Sequence, residues 1–362
     1  MKPSVTRIQS FFNTVLLVFL LVVIGTGCGT GDSGSAPEPR TYPMGFAPNP
    51  PRPGLESFFT TVDSMVNVSE FTILQQNPPW QELLAGAPMD SLVQDRVQLA
   101  EFLRNKGLKI VFLVDPLDGL DRTKEPPELV EAGRSIFEPE IRALHEEWVR
   151  QIAEQIKPVY LGLASEINTP AAHGEPALYA EIRDLVNDLA PEVRQLSPDT
   201  EVFVSFQVDD AWGLFGGDDI DHFALIDEFD IDALGLSSYP VFVFSNPSEI
   251  PDDYFLRFRE VTDLPMILVE GGWNSRNTSQ TSGSSAEQVA FFEKFEELMD
   301  SVNGELWVFL IYADLDIDAL GLPPDREAAL ANFAFMGVAD ENFARKPAYE
   351  VWRRIFDRPL ER

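Results

Sequence analysis

Short, unbroken apolar runs recur along this chain and alternate with segments of helical periodicity. The runs are Met44–Ala47, Phe71–Gln75, Lys109–Val114, Val159–Ala164, Glu201–Phe206, Ala233–Ser237, Met266–Val269 and Leu306–Ile311. After the first, they are continuous rather than alternating in polarity, as expected of strands buried on both faces. The intervening helical segments have recognisable ends. Leu92–Arg104 stops at Gly107, Pro139–Ile156 stops before Pro158, and Pro176–Ala190 ends ahead of Pro191. Ala286–Val302 starts after Ser284 and Ser285 and stops at Gly304, which is helix-boundary chemistry. Strands alternating with helices build βα units on a parallel sheet, and about eight such units close a barrel. The expected fold class is therefore α/β, a single-domain (β/α)8 TIM barrel. A doubly wound open sheet is the competing arrangement, but no G-x-G-x-x-G element follows the first strand.

The chain of 362 residues accommodates one barrel, which takes about 250 residues or more, with a leader ahead of it. Lys2 and Arg7 precede an uncharged apolar stretch, Val15–Ile24, and small residues (Gly25, Thr26, Gly27) lead to Cys28. Residues 1–27 read as a signal peptide, too short in its apolar part to span a bilayer. Cys28 is the only cysteine, so no intramolecular disulfide can form. The arrangement resembles the lipobox of bacterial lipoproteins, although Gly25 stands where an aliphatic residue is usual. That resemblance implies lipidation of Cys28 and anchorage in a bacterial envelope, periplasmic or at the cell surface. Residues 28–41, rich in Gly, Ser and Pro, read as a tether, and residues 42–362 as the barrel.

Net charge is −32, which excludes nucleic acid, an anionic membrane surface or an anionic polymer as partner. Most of that charge reads as a solvated acidic surface. The membrane contact expected is through the N-terminal lipid alone, and a monomer is expected.

The strand ends carry the chemistry. Glu166 follows Tyr160-Leu-Gly-Leu-Ala-Ser, and Glu270 follows Pro265-Met-Ile-Leu-Val. A carboxylate at the end of a buried strand is costly unless paired or working, and C-terminal strand ends form the active face of such a barrel. Two carboxylates delivered from separate strands are the minimum apparatus for retaining glycoside hydrolysis. Around them fall Trp80, Asp115, Ser165, Asn168, Gln207, Trp212, Tyr239, Trp273 and Tyr312. Aromatic faces beside carboxylates suit a carbohydrate substrate. Asp209, Asp210, Asp314 and Asp316 read as rim charges. The three histidines, His145, His173 and His222, end no expected strand. This disfavours a metal-dependent hydrolase, so neither metal nor other cofactor is expected.

These strand ends resemble the clan A glycoside hydrolases, the retaining (β/α)8 group that includes cellulases, mannanases and endo-galactanases. The resemblance implies an acid/base at Glu166, a nucleophile at Glu270 and a supporting hydroxyl at Tyr239. It also implies sugar contacts for Trp80, Asp115, Ser165, Asn168, Gln207, Trp212, Trp273 and Tyr312. Phe335–Phe343 and Lys346–Trp352 look like the clan's closing segment, and the phrasing around both glutamates is nearest the endo-β-1,4-galactanase branch. Ser165 departs from the pattern, because the clan commonly has Asn before the acid/base. The expected function is a membrane-anchored retaining hydrolase of a β-linked poly- or oligosaccharide, in which Glu166 begins protonated. The alternative is a non-catalytic glycan-binding lipoprotein on a degenerate barrel, and a structural envelope protein is a third reading.

Overall fold

In the computed structural model, residues 37–216 and 220–361 are described. Residues 1–27, read as a signal peptide, and Cys28 lie outside them. Eight strands form a closed barrel in chain order. They are β1 (Met44–Phe46), β2 (Phe71–Gln76), β3 (Lys109–Val114), β4 (Tyr160–Ala164), β5 (Glu201–Gln207), β6 (Ala233–Ser238), β7 (Met266–Gly271) and β8 (Leu306–Phe309). Every neighbouring pair is parallel, and β1 closes on β8. The principal helices around it are α1 (Leu55–Met65), α2 (Met89–Asn105), α3 (Pro139–Gln151), α4 (Pro176–Leu196), α5 (Ser285–Ser301) and α6 (Pro347–Phe356).

Two boundaries differ from the sequence reading. Helix α4 runs through Pro191 instead of stopping before it. An internal proline loses a hydrogen bond and crowds the carbonyl four residues back, at a cost of about 3 kcal/mol. Here Pro191 lies on the exposed face, while Leu178, Ile182, Leu185, Val186, Leu189 and Val193 bury the opposite stripe. That continuous apolar stripe outweighs the local defect. The folded domain also begins before Tyr42. Arg40 is buried, with Nη2 2.5 Å from Glu70 Oε1 and Nη1 2.7 Å from the Tyr42 carbonyl, so it belongs to the barrel and not to a tether.

The core has two layers. In β3, Val111 and Leu113 point into the barrel with Phe71, Ile73, Phe203 and Ile267, while Ile110, Phe112 and Val114 face the helices. This alternation is the period of two of a strand, with both faces apolar. Two register shifts interrupt the ladders near their C-terminal ends, between Gly162 and Ala164 in β4 and between Leu236 and Ser237 in β6. Such irregularities re-aim the side chains that follow. They immediately precede Glu166 and the in-register pair Ser237–Glu270.

Gly162 is required by close approach. A Cβ there would lie 2.6 Å from the Phe203 ring and 2.8 Å from Leu113. Gly162→Ala is expected to destabilise the barrel by about 1–3 kcal/mol through overpacking. The check is a lowered urea midpoint with unchanged m; an unaltered midpoint would show that Phe203 gives way freely.

Candidate active site

Just beyond β4 the backbone takes a left-handed turn at Glu166, with φ 49°. A non-glycine residue holds this conformation only where its surroundings over-determine it, at a cost of order 1 kcal/mol. Ser205 of β5 supplies the restraint: its hydroxyl accepts the Glu166 N–H at 2.9 Å, and its carbonyl accepts the Ile167 N–H at 2.9 Å. The turn sends the Glu166 carboxylate over the barrel mouth, where it meets Glu270 from β7.

Ser237 bridges the two. Its hydroxyl lies 2.6 Å from Glu166 Oε1 and 3.2 Å from Glu270 Oε2. Those oxygens can be separated by no more than the sum of the two distances. That bound is shorter than the separation of about 6.5–9.5 Å that leaves room for water in inverting glycosidases. A serine hydroxyl has one proton and donates to one acceptor at a time, so both contacts are hydrogen bonds only when one carboxyl carries a proton.

Arg122, from the loop after β3, is buried among the carboxylates. Its guanidinium bonds Asp115, reaches Glu166 Oε2 at 3.0 Å and Ser165 Oγ at 3.3 Å, and lies 3.9 Å from Glu270 Oε1. One cation thus serves three carboxylates. Burial and the facing Glu166 push Glu270 up to about 7, against the pull of Arg122 and a hydrogen bond from Gln75. The sequence reading placed the resting proton on Glu166; burial raises the proton affinity of Glu270, its partner across Ser237. Burial raises Asp115 as well, with Arg122 opposing.

Five residues anticipated from sequence line one cleft of about 620 Å³, namely Asp115, Glu166, Gln207, Tyr239 and Glu270. Tyr239 is fixed by its N–H donating to Asp209 Oδ2 at 2.9 Å and by its ring meeting Phe333 edge-on at 5.1 Å. Burial and the two glutamates hold its phenol well above the usual range, so it stays protonated. The hydroxyl bonded to Glu270, however, is that of Ser237, and none from Tyr239 reaches it among the described residues. Ser165 lies beneath the site, 3.2 Å from Ser205 Oγ. Asn168 joins the β4 loop to β5, accepting the Gln207 N–H at 2.7 Å and donating to the Gln207 carbonyl at 2.9 Å.

The four aromatic platforms expected from sequence are elsewhere. Trp80 is buried against His145, Trp273 against Phe291 and Tyr312 against Phe46. Trp212 packs on Tyr254 beneath the Arg257 guanidinium. Large rings that follow short strands gain more by covering the outer core than by standing in solvent. The acidic residues assigned to the rim also moved inward. Asp209 accepts from Tyr254, from Gln207 Nε2 at 2.9 Å and from the Tyr239 N–H, and burial pushes it up to about 6. Asp210 meets His173 at 2.8 Å and Asp314 meets Lys346 at 2.7 Å. Asp316 remains half-exposed, with Arg52 at 2.6 Å. Arg122, Ser205 and Ser237 were missed. Three buried carboxylates at one barrel mouth demand a cation, which was the available signal for Arg122. Among the described residues no group of His, Cys, Asp and Glu is placed to hold a metal ion.

No family model and no curated protein matches the chain. Solved structures do. The chain is similar to the exo-β-1,4-mannosidase Op5Man5 from Opitutaceae bacterium strain TAV5, with TM-score 0.65 and 15% identity over 91% of this chain and 62% of that one. It thus spans less than two thirds of that enzyme. It is similar to a variant of GH5_18 from Streptomyces cattleya in complex with Manβ1-4GlcNAc, with TM-score 0.65 and 14% identity over 89% of this chain and 83% of that one. A Bacteroides uniformis β-glucuronidase matches with TM-score 0.56 and 12% identity over 88% of this chain and 35% of that one. At these identities the likeness is one of fold, a (β/α)8 barrel.

The raised carboxyl sets a stability test. An unfolded glutamate titrates near 4.3, below the value of about 7 for folded Glu270. Between the two the native state holds the extra proton, so stability falls as pH rises through this window. Glu270→Gln removes the buried charge. It is expected to stabilise the protein at pH 8 by up to about 3 kcal/mol and to change little at pH 5. Melting curves at both pH values decide it; a variant less stable at pH 8 would reverse the assignment.

Proposed function

We propose that the protein is a retaining glycoside hydrolase acting on β-linked sugars. The observation that carries the reading is the Ser237 bridge, which holds carboxyl groups from two non-adjacent barrel strands at the close approach used for covalent catalysis. In the first step Glu270 attacks the anomeric carbon as the bond to the leaving oxygen breaks, and Glu166 gives that oxygen its proton. In the second, Glu166 takes a proton from water, whose oxygen displaces Glu270 and leaves a free sugar with the original anomeric configuration. A proton held by Glu270 must first reach Glu166. Ser237 touches both, so it can donate to Glu166 while accepting from Glu270, and the transfer needs no solvent. Arg122 keeps Glu270 from becoming a wholly unpaired charge once the proton leaves.

The strand-end phrasing makes a β-1,4-galactan a natural member of a substrate panel. The mannosidase and glucuronidase neighbours add β-mannosides and β-glucuronides. A second reading, glycan binding without turnover, draws on the Arg122–Glu166 pair and on Ser165 before the acid/base. Binding without release of reducing sugar would favour it.

Glu270→Ala is expected to abolish hydrolysis, with azide or formate partly restoring it by filling the vacated space. Glu166→Ala should lower kcat on alkyl glycosides by about 10²–10⁴, the usual worth of a positioned acid. It should spare dinitrophenyl glycosides, whose leaving group needs no proton. Equal losses on both substrate types would remove Glu166 from the acid role.

Envelope anchorage through Cys28 is part of the same proposal. Cys28→Ser should move the protein from the membrane to the soluble fraction with its circular dichroism unchanged. Retention on membranes after a salt wash would rule out the lipid anchor.

A further inference from the structure

The walls of the cleft are chemically unequal. On the side of β1 to β4 it is lined by Asn49, Gln75, Asn77, Asp115, Asp121 and Arg122. On the side of β5 to β8 the wall is Phe215, Phe242, Leu315, Leu322, Leu330 and Phe333. Phe242 and Phe333 meet at 5.3 Å, joining the segments after β6 and β8. The polar groups of that second half are already engaged. Gln207 donates to Asp209 Oδ2 at 2.9 Å and accepts the Asp210 N–H at 2.8 Å, while Arg326 holds both Asp118 oxygens at 2.6 and 2.7 Å. Among the described residues lining that half, Tyr239 carries the one hydroxyl. On the polar side Gln76 Nε2 is buried without a hydrogen-bond partner, beside a smaller, mostly apolar cavity that shares Asn49, Gln75 and Glu270 with the cleft.

We propose that the substrate is an amphipathic β-glycoside, its sugar held on the polar half and an apolar alkyl or aryl aglycone on the Phe242–Phe333 half. This rests on the glycosidase reading and narrows it. A polysaccharide presents hydroxyls on both sides of the scissile bond, and a wall of phenylalanine and leucine side chains offers them no hydrogen bonds, so each buried hydroxyl loses solvation without replacement. Among the described residues no indole lines the cleft, and the Phe333 ring packs against both Phe242 and Tyr239. Glu166 follows β4 on the polar half and Glu270 lies in β7 on the apolar half, so the bond joining sugar to aglycone must lie between them. The net charge of −32 adds that the aglycone is uncharged or cationic rather than anionic.

The test compares methyl and hexyl β-glycosides of glucose, mannose and galactose on the full-length protein, with β-1,4-galactan and mannan oligosaccharides alongside. For the accepted sugar, kcat/KM is expected to rise by roughly two- to fourfold per added methylene, and Phe242→Ala should flatten that slope. Binding of the same pairs, followed by calorimetry, gives a readout independent of turnover. Tighter binding of hexyl than methyl glycosides with no hydrolysis would keep the amphipathic cleft and remove the hydrolase. Equal binding of the pair, or oligosaccharides turned over faster than hexyl glycosides, would overturn the inference while leaving the hydrolase standing.

Discussion

A single guanidinium makes the mouth of this barrel possible. Asp115, Glu166 and Glu270 converge there from three strands, and each would cost several kcal/mol as an isolated buried charge. Arg122 is within ion-pairing distance of all three. Its own loop is secured from the far side, because Asp118, four residues earlier, is gripped by Arg326 from the segment after β8. The carboxylates therefore depend on a cation from one loop, and that loop depends on a clasp from another. Removing one carboxylate from such a network leaves it tolerable, whereas removing the cation leaves it with uncompensated negative charge.

The network is nevertheless short of positive charge, and that shortage has chemical use. With three carboxylates and one arginine, a proton is the remaining way to reduce the repulsion, and burial raises both Glu270 and Asp115 towards holding it. Sites that push paired carboxyl groups apart in proton affinity are those that divide acid from nucleophile. The resting form is one proton transfer from the reactive form, and the Ser237 hydroxyl lies on the route. The stability cost of ionising Glu270 is the same free energy that makes its carboxylate reactive towards an electrophilic carbon.

The fold was legible because βα repetition is written in local apolar runs. All eight strand positions agree within two residues at either end, since both faces of each strand are apolar and its ends are marked by polar loops. Glu166 and Glu270 were legible for the same reason, as charges interrupting apolar runs. Other features depend on distance in sequence. Arg122 sits in a loop like any surface arginine, and only the convergence of β3, β4 and β7 makes it a cleft residue. Ser205 and Ser237 look like ordinary small residues near strand ends until two register shifts bring them under the glutamates. The aromatic residues misled because an indole after a strand is equally suited to a sugar or to the outer core. Which one it meets depends on loop packing that no local pattern records.

Asp209 shows how far the site's geometry is carried by groups that never enter the cleft. It is fully buried at the end of β5 and holds Tyr254 and the Tyr239 backbone N–H. Tyr239 in turn places Phe333 and Phe242 against one another. A buried polar anchor just after β5 thus sets the position of the apolar wall. Asn168 acts similarly between β4 and β5, with both ends of its amide spent on the Gln207 backbone. Buried amides and carboxylates whose partners are all backbone or core groups have little capacity left for ligand. Their influence on specificity is exerted through the walls they position, and here those walls differ in kind on the two sides of the reacting pair.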